Sequence, residues 1–157
     1  GKSYFARRLA ERFRAAIVES DALRRTLFPL PTYSFEEHRR LFPAIHRLIR
    51  DLLRQGIPVI YDATNLLEFQ REYVYHIAER TGAKLVVVQT EAPEEVVMER
   101  LAQRRRSREA ADLSEATWDI YLKMKATAEP IRRDHFVVDT SRDIAPVIES
   151  VLREIRR

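Results

Sequence analysis

The sequence has 157 residues, of which 45% are hydrophobic and 33% charged, as in one globular domain. It has no cysteine, which excludes a disulfide framework, a thiolate zinc site and a cysteine nucleophile, and which fits a reducing compartment such as the cytoplasm. No apolar run approaches the roughly 20 residues of a membrane helix, so we expect no membrane contact. The net charge of +4 fits nucleic acid, ATP with a charged acceptor, or a solvated arginine-rich surface.

The chain opens with Gly1-Lys2-Ser3, which matches the last positions of the phosphate-binding loop G-x-x-x-x-G-K-[ST]. In that loop the Lys contacts the β- and γ-phosphates, the Ser hydroxyl holds Mg²⁺, and the next helix points its N-terminus at the phosphates. The same tripeptide also occurs in ordinary loops. We expect the glycine-rich half of the loop and a hydrophobic strand to precede Gly1, so that this sequence starts inside the motif.

Hydrophobic periodicity predicts alternating helices and strands along the whole chain. In the first half the predicted elements are a helix over 4–14, a strand over 15–19, a short helix ending before Pro29, and a helix capped by Ser34, kinked or split at Pro43 and ending at Gly56. In the second half they are a strand over 58–62, a helix capped by Asn65 and ended by Gly82, a strand over 84–89, a helix after Pro93, a loop over 110–113, a helix capped by Ser114, a strand over 135–139 and a helix over 144–157.

This order is typical of α/β proteins whose parallel strands are joined by right-handed crossovers. Together with the strand expected before Gly1, the prediction is a five-stranded parallel sheet between two layers of helices. Residues 1–157 would then form a single three-layer domain that is truncated inside its phosphate-binding loop.

Two aspartates directly follow, or end, predicted strands, at the sheet edge where open α/β sheets bind ligands. Asp21 could act as a general base towards an acceptor hydroxyl, or it could be a plain helix N-cap. Arg24, one helical turn later, could bind an anionic group of the acceptor, or it could be solvated. Asp62 could bind Mg²⁺ through water or hold Arg24 in place, and its alternative role is to form a turn.

A basic segment follows the predicted helix after Pro93. Arg100, Arg104 and their neighbours could close over ATP as a mobile lid that neutralises transition-state charge, or they could form the exposed end of a helix. The four histidines show no metal-binding spacing and are interpreted as structural or exposed.

At this point the chain resembles the AAA_33-type P-loop kinases, which include the 5′-hydroxyl polynucleotide kinases. More distantly, it is similar to the zeta toxins and chloramphenicol phosphotransferase. The resemblance covers nearly the whole chain, and its most specific stretch is Asp62-Ala63-Thr64-Asn65. The other matching stretches are Gly1-Lys2-Ser3, Ser20-Asp21 with Arg24, Glu91-Ala92-Pro93-Glu94-Glu95 leading to Arg100 and Arg104, and Glu129-Pro130.

The resemblance implies a P-loop kinase fold with a helical lid, and ATP and Mg²⁺ as cofactors. It implies catalytic roles for Asp21, Lys2 and Arg104, and acceptor binding by Arg24, Asp62 and Asn65. It also implies ATP binding by Gly1, Lys2, Ser3, Arg100 and Arg104, and metal binding by Ser3 and Asp62.

The expected reaction is transfer of the γ-phosphoryl group of ATP to a hydroxyl, with a polynucleotide 5′-hydroxyl as the leading acceptor. The alternatives are a small-molecule hydroxyl, such as that of an antibiotic, nucleotide-sugar or metabolite, and an ATP-binding module without kinase activity. A general basic nucleic-acid-binding domain ranks below these, because the basic residues are not interleaved with aromatic ones. The sequence indicates no oligomeric state.

Overall fold

The computed structural model describes residues 1–107 and 118–157, which form helices and strands in alternating order. The helices are α1 (Lys2–Ala10), α2 (Ser20–Leu27), α3 (Phe35–Arg54), α4 (Glu68–Thr81), α5 (Glu94–Ser107), α6 (Trp118–Thr127) and α7 (Ala145–Arg156). The strands are β1 (Ala16–Glu19), β2 (Val59–Asp62), β3 (Val88–Glu91) and β4 (Phe136–Asp139). Within these ranges, no helix has both the length and the apolar character needed to cross a membrane.

The strands form two separate parallel pairs. β1 pairs with β2, so that Glu19 lies opposite Asp62, and β3 pairs with β4, so that Glu91 lies opposite Asp139. The predicted α/β class with parallel strands is confirmed. The described residues do not form the continuous sheet that the sequence predicted, because β2 and β3 do not pair with each other.

Side chains on opposite faces of the strands enter two hydrophobic cores. One core packs α1 and α7 against β4, and its buried residues are Phe5, Leu9, Val138, Ile144, Ile148, Val151 and Leu152. The other packs α3 against β1 around Val18, Leu41, Ile45 and Ile49. Within β2, Ile60 packs against the first core, whereas Val59 and Tyr61 pack against the second. This alternation places helices on both faces of the strands, as in a three-layer sandwich.

Local signals predicted several helix ends correctly. The Ser34 side chain accepts a hydrogen bond from the Glu37 amide at 3.2 Å and so caps α3, which continues as one helix through Pro43. Gly56 and Gly82 follow helices with positive φ angles of 76° and 70°, as glycine allows.

The structure differs from the sequence prediction at one helix start and one strand start. Asn65 does not cap α4: it has a left-handed φ of 43°, and the helix begins at Glu68 with Leu67 as its N-cap. The third strand starts at Val88 rather than at Lys84, because the ladder with β4 begins only there. The loop predicted over 110–113 and the Ser114 cap lie outside the described residues.

Candidate phosphate-binding and catalytic site

The N-terminus of α1 is the centre of the candidate site. Gly1 is its N-cap, and the buried residues Phe5, Ala6 and Leu9 anchor the helix in the core. The helix starts beside the carboxyl ends of β2 and β4, because Ser3 contacts Asp62 and Gly1 contacts Thr140. Unpaired amides and the helix dipole make such a helix start an attractive position for an anion.

Ser3, Lys2 and Asp62 meet directly at this helix start. The Ser3 hydroxyl donates to Asp62 Oδ2 at 2.7 Å, and Lys2 Nζ lies 4.0 Å from Asp62 Oδ1. Asp62 is only 6% exposed, so these neighbours offset the cost of burying its charge. Hydroxyl and carboxylate oxygens are ligands that Mg²⁺ accepts beside substrate phosphates, so this pair fits the metal that the resemblance implies.

Gly1 approaches the chain after β4 very closely. A Cβ atom at this position would lie 2.6 Å from Thr140 Oγ1, so a larger residue would displace Thr140. Thr140 in turn accepts two hydrogen bonds from Arg100, one to Oγ1 at 2.9 Å and one to its carbonyl at 2.8 Å. The Thr140 amide donates to the Glu91 carbonyl at 2.9 Å. Thr140 therefore connects the helix start, α5 and the end of β3.

A cavity of about 390 Å³ opens beside this connection, lined by Gly1, Tyr4, Arg100, Arg104 and Thr140. Arg100 and Arg104 lie one helical turn apart on α5, so both reach the same space. The structure thus brings two arginines predicted to bind ATP to the start of α1. Two cations next to a helix N-terminus can neutralise a chain of phosphates.

Asp21 lies at the same edge of the strands as Asp62. It is in the first turn of α2, two residues after Glu19, and Glu19 is the register partner of Asp62. Asp21 is exposed, and a base that takes a proton from an acceptor must be accessible to that acceptor.

Arg24 is buried rather than solvated, with 4% exposure. Its guanidinium forms an ion pair with Glu37, and its Nη2 atom lies 3.1 Å from His38 Nδ1. Its Cζ atom lies 4.6 Å from the centre of the Tyr33 ring. The carboxylate that holds Arg24 is thus Glu37, and not Asp62 as the sequence had suggested.

Glu37 is itself fixed by the loop between α2 and α3. It accepts hydrogen bonds from the Thr32 amide at 2.7 Å and the Thr32 hydroxyl at 3.1 Å. The Thr32 amide first, and then the Arg24 side chain, lower the pKa of Glu37 from 4.5 to about 2. Burial and the Arg24 charge lower the pKa of His38. Glu37 therefore stays ionised, and Arg24 keeps its position.

The turn after β2 is clamped by Arg71, which sequence reasoning did not single out. Arg71 is 7% exposed, and its guanidinium pairs with Glu68 at 2.7 Å. It also donates to the backbone carbonyls of Asn65, Leu66, Glu129 and Pro130. The Glu129 amide donates to the Leu66 carbonyl at 2.8 Å. This clamp fixes the Asp62–Asn65 turn to the segment that follows α6.

Arg105 and Arg106, also in the predicted basic segment, are exposed. Among the described residues, no three histidine or acidic side chains come together as a protein-only metal site. Mg²⁺ bound mainly through phosphates needs only one or two carboxylates, so a single Asp62 beside Ser3 is consistent with such binding.

Comparison with known proteins decides the family. The profile of the AAA_33 family, described as an AAA domain, matches residues 1–131. The chain belongs to this family. No protein among the curated ones matches it in sequence.

Several solved structures are similar in fold. A putative kinase from Chloroflexus aurantiacus has a TM-score of 0.73 and 19% identity, over 98% of this chain and 91% of that one. A gluconokinase from Sinorhizobium meliloti has a TM-score of 0.66 and 20% identity, over 100% and 86%. The APS kinase of Mycobacterium tuberculosis, in complex with AMPPNP and APS, has a TM-score of 0.68 and 17% identity, over 100% and 91%. The AAA_33-family chain thus has the α/β fold of P-loop kinases.

Proposed function

We propose that the chain is an ATP- and Mg²⁺-dependent kinase that transfers the γ-phosphoryl group to a hydroxyl. The observation that carries this proposal is the contact of Ser3 and Lys2 with Asp62 at the start of α1, beside the cavity that Arg100 and Arg104 border. Phosphoryl transfer requires mainly that phosphates are positioned and their developing charge is neutralised. Each of these tasks has a residue in this arrangement.

The roles follow from the positions. Lys2 and the α1 amides bind the β- and γ-phosphates, and Ser3 and Asp62 would hold Mg²⁺, which would neutralise part of the phosphates' negative charge. Asp21 accepts the proton of the acceptor hydroxyl. The oxygen of that hydroxyl bonds to the γ-phosphorus while the bond between the γ-phosphorus and the bridging oxygen breaks, and that oxygen leaves with ADP. Arg100 and Arg104 stabilise the charge that accumulates on the transferred group.

For the acceptor we propose a polynucleotide 5′-hydroxyl. The loop and helix start after α2 present Tyr33 at 54% exposure and Phe35 at 79%, and the Arg39 guanidinium lies 6.0 Å from the Phe35 ring. Aromatic faces stack on nucleic-acid bases, so two exposed rings at this position suit the end of a single strand. A small-molecule hydroxyl is the second candidate, and the fold similarity to a gluconokinase and an APS kinase favours it.

The test is transfer of labelled γ-phosphate from ATP to a panel of acceptors by the intact protein. The panel contains 5′-hydroxyl DNA and RNA oligonucleotides, gluconate and APS. We expect label on the oligonucleotides, with a KM that rises steeply with salt because phosphate contacts release counterions. Label only on gluconate or APS would move the acceptor to the small-molecule class.

Asp21→Asn separates a kinase from an ATP-binding module. We expect kcat to fall by about 10²–10⁴-fold with unchanged ATP affinity. The matched control is Asp134→Asn, an exposed aspartate just before the amino end of β4, at the opposite edge from the site. If no acceptor is labelled although ATP binds, the kinase proposal is wrong and the binding module remains.

A further inference from the structure

The loop before α3 holds an aromatic residue in a backbone conformation that such residues rarely adopt. Tyr33 has a φ angle of 56°, in the left-handed region that favours glycine and asparagine. A conformation of this kind costs free energy and persists only where surrounding contacts enforce it, and it is frequent at ligand sites. The contacts of Tyr33 therefore indicate what its position serves.

Glu37 and Arg24 enforce this conformation together. Glu37 accepts hydrogen bonds from the Thr32 amide at 2.7 Å and from the Tyr33 amide at 3.4 Å, so its carboxylate fixes the backbone that leads into the strained residue. The Arg24 guanidinium lies against the Tyr33 ring, with its Cζ atom 4.6 Å from the ring centre. The same guanidinium forms the ion pair with Glu37, so the three side chains form one unit.

The charge of Arg24 is already used inside this unit. Arg24 and Glu37 are only 4% and 5% exposed, and their opposite charges offset each other. Nη1 of Arg24 donates to Glu37, and Nη2 lies 3.1 Å from His38 Nδ1. A phosphate that reached this guanidinium would have to displace the Tyr33 ring and compete with a buried carboxylate. In contrast, the Arg39 side chain on α3 is 66% exposed.

The outer face of the Tyr33 ring is open. Although one face lies on Arg24, the residue is 54% exposed, so a flat group can reach the other face. Arg24 lies one helical turn after Asp21 on α2, so the ring that covers Arg24 lies on the side of the helix that carries the proposed base. A group stacked on this ring would therefore sit beside Asp21.

We propose that Tyr33 is the acceptor platform, and that Arg24 and Glu37 are positioning residues that hold its ring without touching the acceptor. The ring would stack on the first base of the strand, whose 5′-hydroxyl would then face Asp21. The acceptor needs no anionic group at this point, and its phosphates would meet exposed cations such as Arg39. This assignment departs from the acceptor-binding role that the resemblance implies for Arg24. It rests on the proposed kinase function with a polynucleotide acceptor.

The test compares two 5′-hydroxyl oligonucleotides of one sequence that differ only in the first internucleotide linkage. One has the natural phosphodiester there, and the other has an uncharged methylphosphonate. Transfer of labelled γ-phosphate is measured for the intact protein and for Tyr33→Phe, Tyr33→Asn and Arg24→Lys. Asparagine tolerates the left-handed backbone while removing the ring. The matched control is Tyr73→Ala, because Tyr73 is 58% exposed but lies on α4, outside the proposed site.

We expect Tyr33→Asn to raise the KM of both oligonucleotides about 5–100-fold, because a base loses its aromatic partner. Tyr33→Phe keeps the ring, so its KM values and those of Tyr73→Ala should stay within about twofold of the parent. Arg24→Lys should raise both KM values by the same factor, since lysine lacks the planar fork that pairs with Glu37 and lies on the ring. The KM of ATP should not change in any variant.

An Arg24→Lys variant that loses affinity only for the phosphodiester oligonucleotide would overturn the inference, because Arg24 would then contact that phosphate. So would a lower melting temperature with unchanged acceptor KM values, which would make the role of Arg24 purely structural. Tyr33 is an exposed loop residue, so Tyr33→Asn decides the question if Arg24→Lys does not fold. Parent KM values in Tyr33→Asn would refute this inference alone, whereas a parent that labels neither oligonucleotide would refute the acceptor proposal with it.

Discussion

Replacing Arg71 by Met tests whether the clamp on the Asp62–Asn65 turn determines stability. Arg71 is only 7% exposed, and the substitution keeps most of its apolar stem while removing the guanidinium. The carbonyls of Asn65, Leu66, Glu129 and Pro130 would lose a donor, and Glu68 would lose its ion partner.

The expected loss can be worked out from these contacts. A buried group left without its partner costs about 1–3 kcal/mol, and removing one partner of a buried pair costs about 3–5 kcal/mol. The Leu66 carbonyl keeps the Glu129 amide, and water can reach some of the others, so we expect about 3–5 kcal/mol in total. For a domain of this size that corresponds to a fall in melting temperature of roughly 6–20 °C.

The assay is urea and thermal unfolding of the parent, Arg71→Met, Arg71→Lys and Arg80→Met. Arg80 is an exposed residue on the same helix, and its substitution should change stability by less than about 0.5 kcal/mol. Arg71→Lys keeps a charge near Glu68 but cannot reach all the carbonyls, so it should fall between the parent and Arg71→Met. If Arg71→Met is as stable as Arg80→Met, the clamp contributes nothing and the reasoning is refuted.

Three further predictions concern the site. Asp62→Asn should weaken Mg²⁺-dependent ATP binding about 10–100-fold in calorimetric titrations, and unchanged affinity would place the metal elsewhere. Gly1→Ala should weaken ATP binding because its Cβ would displace Thr140, and this loss should shrink in a Thr140→Ala background; an equal loss in both would contradict the steric cause. The lowered pKa of Glu37 adds stability above pH 4.5 that is lost as pH falls towards about 2, so Glu37→Gln should flatten acid unfolding measured by circular dichroism; identical pH profiles would contradict this.

The parts of the site that the sequence predicted are those that depend on short-range patterns. A hydrophobic run followed by an aspartate identified the end of β2, and parallel strands place their carboxyl ends at one edge, so Asp62 could be placed near Lys2 and Ser3. The cap at Ser34 and the glycines after helices depend on local geometry in the same way. The prediction of Asn65 as an N-cap is wrong, because Asn favours both N-caps and left-handed turns, and Asn65 has a left-handed φ.

The parts that the sequence could not predict depend on contacts between distant segments. Arg24 meets Glu37 only because the loop around Thr32 brings the start of α3 back to α2. Arg71 meets Glu129 across 58 positions, and Arg100 meets Thr140 across 40. Neither hydrophobic periodicity nor capping residues indicate which distant residues will pair, because these pairings depend on how the helices pack on the strands.

The site also links the two strand pairs, which have no strand pairing with each other among the described residues. Ser3 and Lys2 contact the end of β2, and Gly1 and Arg100 contact Thr140, which is bonded to the end of β3. A phosphate chain bound at the start of α1 would therefore be held by groups anchored on both pairs. Ligand that binds only the folded state adds about 2.7 kcal/mol at a hundredfold excess over its Kd. Since the residues that connect the pairs are also those proposed to bind the phosphates, nucleotide should slow exchange at the ends of β2 and β3 together, whereas a site built on one pair would protect only that pair.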